Sequence, residues 1–140
     1  MENNPLISVV IPLYNKEKTI EQSLNSVLLQ KGCEFEVVVV DDGSTDNSVE
    51  QVKKIINPKI KLVSQPNGGP GVARNNGAQA ANGDWLVFLD ADDELLPDAL
   101  KGFADAILAH PDVDIFDANK YILVLSLIHI SEPTRHAQIS

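Results

Sequence analysis

Leu86-Val87-Phe88-Leu89-Asp90-Ala91-Asp92-Asp93-Glu94 carries four apolar residues straight into a knot of carboxylates. A short apolar run bounded by polar turn residues suits a strand buried on both faces, as in a parallel sheet. The acids then fall where that strand ends, and open α/β sheets bind ligands at the carboxyl ends of their strands. From Asn75 to Leu100 there is no Lys or Arg, while Asp84, Asp90, Asp92, Asp93, Glu94 and Asp98 all lie in that span. Carboxylates crowded at a strand end repel one another unless solvent or a cation relieves them. Hard divalent ions such as Mg²⁺ or Mn²⁺ take such oxygen ligands. The plainer reading is a solvated acidic loop before a helix, with Asp93, Glu94 and Asp98 meeting its N-terminal dipole. An isolated D-x-D does not separate the two.

Upstream, two further apolar runs have the same character. Ile7 to Leu13 (ISVVIPL) is β-branched and nearly uninterrupted, and Pro12, which cannot donate a ladder hydrogen bond, marks its end. Phe35 to Val40 (FEVVVV) also runs into acids, Asp41-Asp42-Gly43-Ser44-Thr45-Asp46. Between them Ile20, Leu24, Val27 and Leu28 repeat at helical spacing, with Thr19 and Gln22 in capping-box positions and Gly32 as the stop. Asn47 with Glu50 is placed to cap a second helix with Val49, Val52, Ile55 and Ile56 inward, broken by Asn57-Pro58. Ile60 to Ser64 reads as a short third strand. The turn Pro66-Asn67-Gly68-Gly69-Pro70-Gly71 then leads into a helix over Val72 to Asn82 with small residues (Ala73, Gly77, Ala80) on one face.

After Gly83 comes the strand Asp84 to Leu89, and Pro97 opens a fourth helix burying Leu100, Phe103, Ala104, Ile107 and Leu108. Val113 to Phe116 reads as a fifth strand. Strands alternating with helices of this size imply βαβ units with right-handed crossovers. The expected fold class is therefore α/β, a three-layer α/β/α sandwich around a mostly parallel central sheet. Tyr121 to Ile130 is apolar without a helical pattern, and Ser131 to Ser140 has no periodicity. The tract LSLIHISEPTR (Leu125 to Arg135) resembles vector- or adapter-derived read-through. The expected division is a folded domain over residues 1–124 and a non-native or disordered tail over 125–140, truncated on the C-terminal side.

With 140 residues, 44% hydrophobic and 22% charged, the chain is long enough for one domain with a real core. Its net charge of −9 argues against a general nucleic-acid or anionic-membrane surface, so an anionic ligand needs a metal or backbone N–H groups to meet it. Cys33 is the only cysteine, which excludes an internal disulfide and suggests a reducing compartment. Neither a signal-peptide pattern nor an apolar run of about 20 residues is present.

SVVIPLYNKEKTIEQSLNSVLLQ, FEVVVVDDGSTDNS, and the glycine turn with GVARNNGAQAANGDWLVFLDADD together resemble family 2 glycosyltransferases, in order over Ile7 to roughly Ala118. The resemblance implies a Rossmann-like GT-A fold and inverting transfer of a sugar from a nucleotide diphosphate to an acceptor hydroxyl, assisted by Mg²⁺ or Mn²⁺. Carried over, Pro12 and Tyr14 match the start of the nucleoside pocket, with the Tyr14 ring on the base or, alternatively, covering the sheet edge. Asp42 matches the acceptor for the base's imide N–H, which suits uracil or thymine because an ionised carboxylate only accepts. Asp90 and Asp92 match the D-x-D, Asp92 as direct metal ligand and Asp90 toward the ribose or a metal-bound water. Arg74 either helps hold the diphosphate or forms a structural ion pair. Asp41 and Asp46 read as turn and cap residues.

The family's catalytic base lies well downstream, and Asp93 and Glu94 sit too near the metal-binding turn to replace it. The resemblance further implies a UDP-sugar donor, an acceptor saccharide or lipid-linked saccharide, and cytoplasmic work at the inner face of the membrane on cell-envelope polysaccharides or glycolipids. The oligomeric state stays open. A non-catalytic nucleotide-sugar-binding fragment is the alternative. Other nucleotide folds fit less well: the loop Tyr14-Asn15-Lys16 has no glycine for a Rossmann fingerprint or a nucleotidyltransferase loop, and no G-K-[ST] marks a P-loop. A receiver domain needs an Asp after the third strand, where Ser64-Gln65-Pro66 stands.

Overall fold

The computed structural model describes residues 4–118, 122–124 and 136–139, with side-chain burial over residues 4–114. Its centre is strand β1 (Leu6–Leu13), paired in parallel with β2 (Glu34–Asp41) from Leu6↔Glu34 to Leu13↔Asp41. These two runs are the most β-branched in the chain, and their middle residues are buried from both sides. Strand β3 (Ile60–Ser64) adds in parallel to β2, and β4 (Trp85–Phe88) in parallel to β1. Two short strands, β5 (Ile115–Ala118) and β6 (Ile122–Val124), extend the β4 side, with β6 antiparallel to both β4 and β5. Strand β7 (His136–Ile139) lies parallel to β5 and completes the sheet order β3-β2-β1-β4-β6-β5-β7. The mostly parallel sheet expected from the sequence is present. Of the tail expected over 125–140, only His136–Ile139 falls among the described residues.

Alternation along the strands sorts the core into two layers. Ile7, Val9, Ile11 and Leu13 of β1 pack with Val37, Val39 and Val87 against helices α1 (Ile20–Leu28), α2 (Ser48–Lys53) and α4 (Ala99–Ala109). Val10, Val38, Val40 and Leu86 face the other way, against α3 (Pro70–Ala80). Each large side chain so buried contributes about 1.5–3 kcal/mol relative to exposure. Helix α3 approaches closely because Gly77 has no side chain: a Cβ there would run into Val10 and Val40. This is the three-layer sandwich.

Several local expectations are corrected. The Thr19 hydroxyl donates to the Ala91 carbonyl at 3.0 Å, and no capping box forms at α1. At α2 the Asn47 side chain makes no cap bond; Asp46 instead accepts from the Ser48 N–H at 2.9 Å. Ile56 points to solvent, because α2 ends at Lys53, before the helical face would carry it inward. Helix α3 begins at Pro70 and stops at Ala80, where Ala81 turns extended. Helix α4 starts at Ala99 rather than Pro97, since Asp98 takes a left-handed φ of 64°. Leu108 is exposed. The fifth strand begins two residues later than expected, as the Val113 N–H is used in a turn with the His110 carbonyl. Among the described residues, no helix is long and apolar enough to cross a membrane.

Candidate functional site

The parallel register brings the carboxyl ends of β1, β2 and β4 to one edge. The Asp42 N–H donates to the Leu13 carbonyl at 2.8 Å and the Leu89 N–H to the Val10 carbonyl at 3.0 Å, which sets the three following loops side by side. Between them and the N-terminus of α3 opens a cleft of about 570 Å³. Pro12, Tyr14, Asp42, Arg74, Asp90 and Asp92 all line it, so every site residue named from the sequence meets in one place. Leu13, Lys16, Asn67, Gly69, Pro70 and Ala91 complete its wall.

Asp42 is buried, and its carboxylate is the anchor of the glycine turn. Oδ1 accepts from the Gly68 N–H at 2.7 Å, the Gln65 amide at 2.8 Å and the Gly69 N–H at 3.3 Å. Oδ2 takes the shorter arm of the Gly69 N–H, at 3.1 Å, and the Asn67 amide at 3.4 Å. Burial pushes the Asp42 carboxyl up, but these donors outweigh it and hold the group below the usual carboxylate range. Gln65 is itself fixed by the Asn76 side-chain amide on α3. Gly69 adopts a φ of 97°, a backbone that L side chains rarely take, and this lets two successive N–H groups turn toward one carboxylate.

The loop after β1 is held just as firmly. Asn15, at a φ of 49°, accepts from the Thr45 N–H at 2.8 Å and the Asp46 N–H at 3.3 Å. The Lys16 N–H donates to Ser48 Oγ at 2.8 Å, and Asp46 accepts from the Glu17 N–H at 3.2 Å. Asp41 accepts from the Ser44 N–H at 3.3 Å, so the turn and cap roles read for Asp41 and Asp46 describe what both residues do. The motif after β2 therefore shapes the loop after β1.

Asp90, Asp92 and Asp93 place carboxylate oxygens within 4.8 Å of one another. Lys16 Nζ stands 3.8 Å from Asp92 and an Arg74 guanidinium nitrogen 3.8 Å from Asp90, all four side chains substantially exposed. The acidic turn is carried by α1: the Ala91 carbonyl between the two aspartates accepts from Thr19 and, at 2.8 Å, from the buried Ser23. Ser26 Oγ accepts from the Leu95 N–H at 2.9 Å, and Gln30 spans from the Leu96 carbonyl to the Leu100 N–H. Sequence reasoning missed this polar stripe, although Thr19, Ser23, Ser26 and Gln30 recur at helical spacing beside the apolar one. It also missed Lys16. Nothing in the sequence marks Gln65 or Asn76.

The glycosyl transferase family 2 model matches residues 8–129, a span that holds every wall of this cleft. The chain belongs to that family. It is 42% identical over 117 residues to the succinoglycan biosynthesis protein ExoO of Rhizobium meliloti, a match covering 81% of this chain and 34% of ExoO. Staphylococcus aureus TarS, in its complex with UDP-GlcNAc, superposes with a TM-score of 0.75 at 40% identity, over 80% of this chain and 33% of that one. The mannosyltransferase PcManGT of Pyrobaculum calidifontis, in complex with GDP-Man and Mn²⁺, gives a TM-score of 0.72 at 30% identity, over 83% of this chain and 36% of that one. This member spans 34% to 41% of the length of the first curated relatives it matches. The shared part is the GT-A, Rossmann-like fold.

Proposed function

We propose that this chain forms the donor site of an inverting, metal-assisted glycosyltransferase that uses a UDP-sugar. The observation that carries the reading is the single cleft in which Tyr14, Asp42, Arg74, Asp90 and Asp92 converge, with Asp93 close to the two aspartates. TarS, which binds UDP-GlcNAc and UDP, supports a uridine donor, and PcManGT, bound to Mn²⁺, supports a divalent ion.

In this reading the half-exposed Tyr14 ring, at the cleft mouth, stacks on the base. Asp42 Oδ1 takes the two shortest bonds, from Gly68 and Gln65, so Oδ2, which shares the Gly69 N–H and otherwise has only the 3.4 Å Asn67 contact, accepts the uracil imide N–H. Asp90 meets the ribose, and Arg74 turns its guanidinium to the diphosphate. The clustered carboxylates fit a hard divalent ion: Asp92, with Asp90 and Asp93, would hold it. When bound, it would neutralise charge on the diphosphate leaving group. The acceptor hydroxyl attacks the anomeric carbon from the face opposite the departing UDP. Its proton goes to a general base, a step worth about 10²–10⁴-fold. In this reading the acceptor is a saccharide or lipid-linked saccharide met at the cytosolic membrane face; the role of ExoO in succinoglycan biosynthesis supports a saccharide acceptor.

Calorimetric titration of UDP and of GDP, each with and without Mn²⁺, tests this. UDP binding that needs Mn²⁺, exceeds GDP binding, and is lost together with its metal dependence in Asp92→Asn is the expected result. Metal-independent UDP binding in both proteins would overturn the assignment.

A further inference from the structure

Lys16 is the one cation of the cleft wall that comes from the loop after β1, and its backbone is fixed on both sides. Its N–H donates to Ser48 Oγ at 2.8 Å, and its carbonyl accepts from the N–H groups of Thr19 and Ile20 at 3.1 and 2.9 Å. Only the side chain is free to move, and it reaches 3.8 Å from Asp92 Oδ2. That places a positive charge against the carboxylate that the donor-site reading assigns to the metal. A cation in such a position opposes a second cation on the same oxygens. In the same cleft it attracts a diphosphate.

We infer that Lys16 is a positioning residue that couples metal to nucleotide: it holds Asp92 as a counterion before the donor arrives and passes to the diphosphate when the donor binds. The inference rests on the donor-site reading above. Without nucleotide, the metal must displace the Lys16 ammonium from Asp92. With nucleotide bound, the ammonium has a new partner and Asp92 is released. Metal and nucleotide then strengthen each other's binding by the same factor, as linkage requires.

The test measures Mn²⁺ affinity of the full chain from the free-ion electron paramagnetic resonance signal, with and without saturating UDP, in wild type, Lys16→Met and Lys16→Arg. Lys16→Met is expected to bind Mn²⁺ tighter than wild type without UDP, by about one-and-a-half- to fivefold, the range set by an exposed ion pair. The factor by which UDP tightens Mn²⁺ falls correspondingly, and Lys16→Arg restores wild-type behaviour. Unchanged or weaker Mn²⁺ binding by Lys16→Met without UDP, in a wild type that binds both ligands, would overturn the counterion role alone. A wild type that binds neither Mn²⁺ nor UDP would overturn the donor-site reading, and this inference with it.

Discussion

The main-chain N–H of Gly68 meets the carboxylate of Asp42 at 2.7 Å, across 26 residues of sequence. One acidic side chain at the end of β2 thus holds the turn that opens α3. Asp42→Asn removes the charge and turns an amide toward N–H donors. Hydrogen bonds to charged groups contribute about 1.5–3 kcal/mol each, and part of that is lost. Thermal unfolding should show destabilisation of about 1–3 kcal/mol, together with lost UDP binding. A variant as stable as wild type would mean the turn holds itself.

The acidic turn depends on α1 in the same way. Thr19→Val with Ser23→Ala strips both hydroxyls from the Ala91 carbonyl. Each bond contributes about 1 kcal/mol, so the pair should lower stability by about 2 kcal/mol in a denaturant series. Mn²⁺ affinity should fall with it, because the backbone between Asp90 and Asp92 loses its support. The same double variant with native metal affinity would uncouple α1 from the site.

Two glycines should respond in opposite senses. Gly77→Ala forces a methyl into Val10 and Val40, and overpacking of this kind costs about 1–3 kcal/mol. Gly102, inside α4, faces open space where a methyl would sit, so Gly102→Ala should stabilise by about 0.5–1 kcal/mol through helix propensity. Denaturant midpoints decide both.

Acid should unfold the protein through a few identifiable groups. Burial raises the carboxyls of Asp42, Asp46 and Glu36, yet their donors win and hold all three low. The donors are Gly68, Gln65 and Gly69 for Asp42, Ser48 and Glu17 for Asp46, and Ser8 and Asn82 for Glu36. A depressed folded-state pKa stabilises above the unfolded value, here 3.8 for Asp and 4.5 for Glu, and that stability is lost as pH falls through the lower folded value. Melting temperature should therefore hold from neutral pH to about 5 and drop below it. Asp46→Asn should flatten the drop.

The sheet was legible because β1, β2 and β4 are nearly uninterrupted apolar runs ending in polar turns, a pattern that both-face burial imposes locally. The site residues were legible for a related reason: Asp42, Asp90 and Asp92 follow those strands directly, and parallel pairing sends all three to one edge. What was not legible depends on partners far away in sequence. Thr19 looked like a cap, but it accepts no helix N–H and its hydroxyl donates instead to the Ala91 carbonyl, 72 residues on. Lys16 meets Asp92 only after β1 and β4 pair. Asp98 breaks the start of α4 through a left-handed backbone that no neighbouring residue announces.

The most direct test of the central claim is anomalous scattering at the manganese edge from crystals grown with UDP and Mn²⁺. The account predicts a manganese peak bonded to the Asp92 carboxylate, with the diphosphate on its other side and the uracil between Tyr14 and Asp42. UDP bound outside this cleft, or bound within it with no manganese at Asp92, would contradict it.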